Sequence, residues 1–214
     1  MNIILTPSIP SSYQHNISPN RNLDALTYLN MVVDEIHHSL TTFLKDTPFI
    51  TITRLRAQPG QVIPQIQALT QNAPKDSNLA IAVGLNSTNP DGHYHPAHGW
   101  RILSNAQSKE PSKISTALAT AALQTLGPRA ITTTTLQQNL RYLNQTGILH
   151  NTTIPAVLTL NLYQDNRQDA AYILSSHGRQ AIIDLHVQGI LDYLKSISPA
   201  DYPSKHPTSS PHHP

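Results

Sequence analysis

The stretch DGHYHPAHGW, residues 91–100, sets three imidazoles, His93, His95 and His98, close to the carboxylate of Asp91. Neutral imidazole binds zinc, copper or nickel, and a carboxylate often completes such a set. A His-x-His run in an extended loop leaves the ligand geometry open, so a metal here needs a remote ligand. His15, in YQHN, or Asp24 would supply it. Each of these residues also has a plainer reading. The loop belongs to a chain with 12 His, and solvated histidines need no metal. Asp24 opens a helix, where a carboxylate caps free N–H groups and meets the positive end of the helix dipole. Asp165 and Asp169 stand where carboxylates cap a short helix. Trp100 reads as a packed strand residue or, at a cleft rim, as a stacking surface for a sugar.

The elements that would position these groups follow from the spacing of apolar residues. NIILT, residues 2–6, reads as a first strand stopped by Pro7, and a Pro-, Ser- and Asn-rich loop follows to residue 21. An apolar stripe through Leu23, Leu26, Met31, Val33, Ile36, Leu40 and Leu44 predicts a helix over about residues 22–45. Strands are predicted over 49–55 and 79–83, with a helix from Val62 between them. A turn-rich loop over 86–98 leads into a short strand at 100–103. A helix over 114–126 ends at Gly127-Pro128. Residues 131–155 read as loop with short strands, AVLTLNLY from Ala156 as a strand, and 168–174 and 179–197 as helices. Alternating strands and helices make this α/β: a single domain with a mostly parallel twisted sheet of about five to six strands and helices on both faces. The domain spans residues 1–198, and 199–214 is a Pro-, Ser- and His-rich tail expected to be disordered. Ligands of such sheets sit beyond the carboxyl ends of the strands, here the loops beginning at Pro7, Gly84 and Tyr163.

Composition narrows the partners. Hydrophobic residues make up 38% and charged residues 12% of the 214, with a formal net charge of +2. That charge carries no footprint for nucleic acid. The chain has no Cys, which removes disulfides and thiolate metal sites. MNIILTPSIP lacks the basic and long apolar regions of a signal peptide, and no apolar run reaches the roughly 20 residues of a membrane span. The default expectation is a cytoplasmic location with no membrane partner, and the oligomeric state stays open.

Several phrases match one family. IPAVLTLNLYQDNRQDAAYILSSHGRQAIIDLHVQGILDYL, residues 154–194, resembles a Pro-Ala-x-Leu strand, a Gly-Phe-x-x-Asn turn, a short helix and a long closing helix. Pro155, Ala156, Leu158, Tyr163, Asn166 and Asp169-Ala170 fall into that pattern. LAIAVGLNS is similar to a strand ending Ser-Ile-His-x-Asn, with Asn86 on the Asn. HGWRIL and SKISTALATAALQTLGPRA resemble the strand and helix that come between. Over about residues 2–197 the chain resembles the zinc-dependent N-acetylmuramoyl-L-alanine amidases of the amidase type 3 group. Those α/β enzymes cleave the bond between muramic acid and the first alanine of the peptidoglycan stem peptide.

The resemblance also assigns positions. Such enzymes hold zinc with a His after the first strand, a Glu at the start of the first helix and a His after the third strand. A Glu on the last strand is the catalytic carboxylate. In this chain those positions carry Ile9, Asp24, Gly84 and Leu160. A zinc hydrolase needs about three protein ligands and an open position for water, and Asp24 alone keeps ligand chemistry. The implication is a degenerate member, a pseudoenzyme with no cofactor, that binds cell-wall fragments (peptidoglycan or a muropeptide) or a protein partner, with Asn86 and Trp100 in a ligand groove. The alternative is an active amidase with zinc on a rearranged set drawn from His15, Asp24, His93, His95 and His98.

Overall fold

The computed structural model describes residues 1–8, 18–20, 22–56, 61–72, 74, 77–88, 91–105, 110–131 and 147–197. Ile9, His15 and the tail at 199–214 lie outside the described residues. The elements run β1 (Asn2–Pro7), α1 (Ala25–Phe43), β2 (Thr51–Arg54), α2 (Val62–Thr70), β3 (Asn78–Asn86), β4 (Trp100–Ser104), α3 (Glu110–Leu126), a 3-10 turn (Gly127–Ala130), α4 (Ile148–Asn151), β5 (Ala156–Tyr163), α5 (Arg167–Leu174) and α6 (Ser176–Ile197).

The five strands form one sheet in the order β2-β1-β3-β5-β4. β1, β2, β3 and β5 are parallel, and β4 pairs antiparallel with β5. The single α/β domain and the mostly parallel sheet match the sequence expectation. The direction of β4 was not legible, because a short strand after a long loop carries no directional signal. β3 and β5 are buried along their whole length, as continuous apolar runs in a parallel sheet require. Alternate residues divide between two cores. Leu79, Ile81, Val83 and Val157 face α1, α3 and α6 in the larger one. Ala80, Ala82, Leu158 and Leu160 face Ile66 of α2 and Ile148 and Leu149 of α4 in the smaller one.

Local chemistry explains several boundaries that sequence spacing placed differently. α1 begins at Ala25 because the Asp24 carboxylate accepts the Thr27 N–H at 2.7 Å. Within the stretch read as loop with short strands, Ile148–Asn151 forms α4, entered through Gly147 at φ 50°. α6 starts at Ser176, three residues before the predicted Arg179. Ser175 alone separates it from α5: its Oγ donates to the Tyr172 carbonyl at 2.7 Å and accepts the Gly178 N–H at 2.9 Å.

The junctions of α6 need glycine for space. A Cβ at Gly178 would stand 1.9 Å from the Tyr172 carbonyl oxygen, and one at Gly189 2.9 Å from the Leu118 Cα of α3. Alanine would add about 1 kcal/mol of helix propensity at either site, but overpacking against backbone costs about 1–3 kcal/mol or more. In urea unfolding, Gly189→Ala is expected to lose about 1–2 kcal/mol and Gly178→Ala about 3 kcal/mol or more. Equal or higher stability in either variant would show that the helices can separate without cost.

Candidate functional site at the carboxyl ends of the strands

β1 and β3 are neighbours whose onward connections run to opposite sides of the sheet, and the crevice beyond such a switch point is where open α/β sheets bind ligands. Among the described residues, β1, β3 and β5 come close together there. Ser8 continues β1 and donates its N–H to the Val83 carbonyl at 2.7 Å. Gly84 pairs with Leu160 across β3 and β5. A Cβ at Gly84 would meet Ser8 Cβ at 3.2 Å and Leu160 Cδ2 at 3.5 Å. Leu160 is only 2% exposed. The two positions assigned to a zinc-binding His and a catalytic Glu are thus adjacent, and any side chain at position 84 would begin against Ser8 and Leu160. Arg101 of β4 stands opposite Leu160 in the antiparallel register and is 9% exposed. Sequence reading did not select it, since only the pairing of β4 with β5 brings it here.

Past Gly84 the pairing slips. Gly84 faces Leu160 but Asn86 faces Tyr163, so β5 carries an extra residue. Leu162 takes a left-handed conformation, φ 67°, which is unusual for a residue other than glycine or asparagine. Its side chain is fully buried in the larger core, and that burial offsets the backbone cost.

On the opposite face of the sheet lies a chain of buried polar groups. Trp100 Nε1 donates to Asn161 Oδ1 at 3.0 Å. Asn161 Nδ2 donates to the Gly84 carbonyl at 3.0 Å and to Thr159 Oγ1 at 3.2 Å. Thr159 Oγ1 lies 2.8 Å from His186 Nε2, and His186 Nδ1 lies 2.7 Å from the Ile182 carbonyl. Trp100 is 5% exposed, and its ring packs in the larger core. Asn86 is 4% exposed, and its Oδ1 accepts the Ser87 N–H at 3.0 Å. Both residues, which the resemblance set in a ligand groove, are thus buried at the ends of their strands.

The remaining polar groups stitch loops together. Asp165 accepts from Ser87 Oγ at 3.0 Å and from the Thr88 N–H at 2.6 Å. Asp169 accepts from the N–H groups of Gly99 and Tyr163, each at 3.0 Å. The cap of α5 is therefore Asn166, whose Oδ1 accepts from Gln168 and Asp169, and not the two aspartates read as caps from sequence. Asn166 also donates to the His95 carbonyl at 3.1 Å, tying the histidine loop to the end of β5.

That loop organises itself around Asp91. The His93 N–H reaches Asp91 Oδ1 at 2.9 Å and His95 Nε2 reaches it at 3.0 Å. The His93 backbone N–H, followed by the His95 ring, holds the Asp91 carboxyl below its ordinary range. Arg167 stacks over the Tyr94 ring at 4.5 Å. Among the described residues no three His, Asp or Glu side chains converge as a metal site needs. His93, His95 and His98 do not assemble with Asp24, and the part His15 could play lies outside the described residues. An open groove of about 900 Å³ lies between α1 and α6, lined by Leu26, Met31, Asp34, Glu35, Arg56 and Ile183 among others. It shares no lining residue with the closed crevice.

The fold is similar to that of an N-acetylmuramoyl-L-alanine amidase from Clostridium difficile 630, with a TM-score of 0.64, 14% identity, and 91% of this chain and 97% of that one covered. It is similar to the catalytic domain of CwlV, an N-acetylmuramoyl-L-alanine amidase from Bacillus (Paenibacillus) polymyxa var. colistinus, at TM-score 0.63 and 13% identity, covering 91% and 98%. The CwlD amidase from Clostridioides difficile, in complex with the GerS lipoprotein, matches at TM-score 0.65 and 10% identity, covering 91% and 98%. This chain has the N-acetylmuramoyl-L-alanine amidase fold. No protein-family model and no curated protein sequence matches it.

Among the described residues, the positions that the resemblance assigns to zinc chemistry carry no donor side chain but Asp24. Gly84 and Leu160 offer no donor atom, the crevice between them holds aliphatic carbon, and Asp24 is engaged as a helix cap. Asp24→Ala is expected to cost about 1 kcal/mol, and Asp24→Ser to recover most of it. Thermal unfolding of the three chains separates a cap from a ligand: loss of stability that Ser fails to restore would contradict the capping role.

Proposed function

We propose that this chain is an amidase-fold domain whose hydrolytic centre has been closed, and that it binds peptidoglycan fragments without cutting them. The observation that carries the reading is the contact of Ser8, Gly84 and Leu160 at the switch point of the sheet. A His at position 84 would need room beside the strand end, whereas even a Cβ there would meet Ser8 and Leu160. Leu160 supplies neither a general base nor a stabilising charge, so no water can be activated through it. The scaffold stays specified: the strand ends are tied by Asp165, Asp169 and Asn166 to the loops a ligand would meet. The resemblance points to peptidoglycan as the ligand class. A protein partner is a second reading, supported by the amidase-fold neighbour held in complex with a lipoprotein.

The test uses purified, insoluble peptidoglycan. The chain is expected to sediment with it, and no stem peptide is expected in the supernatant with or without added zinc. Zinc-dependent release of peptides would overturn the closed centre. Failure to sediment, with no release, would leave the centre closed but move the ligand to a protein.

A further inference from the structure

The polar chain behind the site runs in one direction only. The Ile182 carbonyl accepts but cannot donate, so His186 Nδ1 must carry its hydrogen. The Gly84 carbonyl and Thr159 take both hydrogens of the Asn161 amide, whose oxygen faces the Trp100 N–H. Thr159 is left to donate its hydroxyl hydrogen to His186 Nε2. Every hydrogen has a place, and the arrangement exists only while the imidazole is neutral. His186 is fully buried.

We infer that His186 is an acid-sensitive latch holding α6 against β3 and β5, closed while its ring is neutral and released when Nε2 takes a proton. A protonated Nε2 can only donate. Thr159 would then have to turn its hydrogen to the Ala82 carbonyl, 3.3 Å away. The network has that second setting, but among the described residues it leaves a charge in the core with no counter-charge. The ionisable groups on the surrounding elements are committed elsewhere. On α6, Arg179 faces Glu35 of α1, Asp184 accepts from Gln180, and Asp192 accepts from Gln188 and Lys195. Asp34 of α1 pairs with Arg54, Asp169 of α5 holds backbone N–H groups, and Lys113 of α3 is exposed. Arg101 registers with Leu160, whose side chain lies in the smaller core on the other face. Tyr193, two turns along α6, is buried.

Burial lowers the His186 pKa to about 4 from 6.5, outweighing the Ile182 carbonyl, which acts in the opposite sense. The folded value lies below the unfolded one. Above 6.5 neither state carries the proton and the latch contributes fully. Between 6.5 and about 4 the unfolded chain takes the proton first, and the folding equilibrium falls by up to roughly tenfold per pH unit from this site alone. Below about 4 the folded protein is protonated as well and the latch is open.

Two measurements on the intact chain test this. Long-range ¹⁵N–¹H correlation spectra should show His186 as the Nδ1–H tautomer at pH 7.5, still neutral at pH 5. Titration near 6.5 with the fold intact, or an Nε2–H tautomer, would overturn the latch. Urea unfolding of the unaltered chain and of His186→Gln between pH 7 and 4.5 should show a pH slope smaller by up to one proton in the variant. Equal slopes would also overturn it. If the variant fails to fold, the spectra of the unaltered chain decide.

Discussion

The ends of β3 and β5 meet at Gly84, which has close neighbours on both faces of the sheet. On one face Ser8 and Leu160 lie where a side chain at position 84 would begin. On the other face the Gly84 carbonyl is held by Asn161, and through it by Thr159, His186 and Trp100. Glycine is what allows the first contact, and the amide of Asn161 fixes the second. The bulge that follows, with Leu162 in a left-handed conformation, aims the chain toward the loop bonds of Asp165 and Asp169. The shape of the strand ends therefore rests on this one close approach.

The two faces have different roles. The smaller core, under α2 and α4, is continuous with the closed crevice: Leu160 belongs to it and fills the position where chemistry would be sought. There an aliphatic side chain contributes burial worth about 2 kcal/mol. The larger core carries the polar chain into the final helix. Its hydrogen bonds are satisfied within the protein, and a satisfied buried network fixes one arrangement of α6 on the sheet.

Much of this was legible in the sequence. The strands, the helix order and the capping position of Asp24 follow from apolar spacing and helix-end chemistry, and Trp100 is the packed strand residue that its setting suggested. Gly84 and Leu160 stood out as unreactive residues at strand ends, but their contact depends on the parallel register of β3 and β5, which no local pattern encodes. The same holds for Arg101, which only the antiparallel pairing of β4 places beside Leu160. His186 lies 27 residues from its partner Thr159, and on its own it reads as one more histidine in a His-rich chain. α4 escaped notice because four residues are too few to show a helical period. Asp165 and Asp169 resembled caps because their spacing suits that task, while Asp165 binds Ser87 and Thr88 and Asp169 joins Gly99 to the end of β5, contacts across about 70 residues or more that no local pattern encodes.

The closed crevice is tested most directly by following backbone amide resonances of the intact chain during a zinc titration. The account predicts no saturable shift at Ser8, Gly84, Leu160 or Asn161, with any changes confined to residues outside the crevice, such as the exposed His93. Saturable shifts at Ser8, Gly84 and Leu160 at about one equivalent of zinc would contradict it.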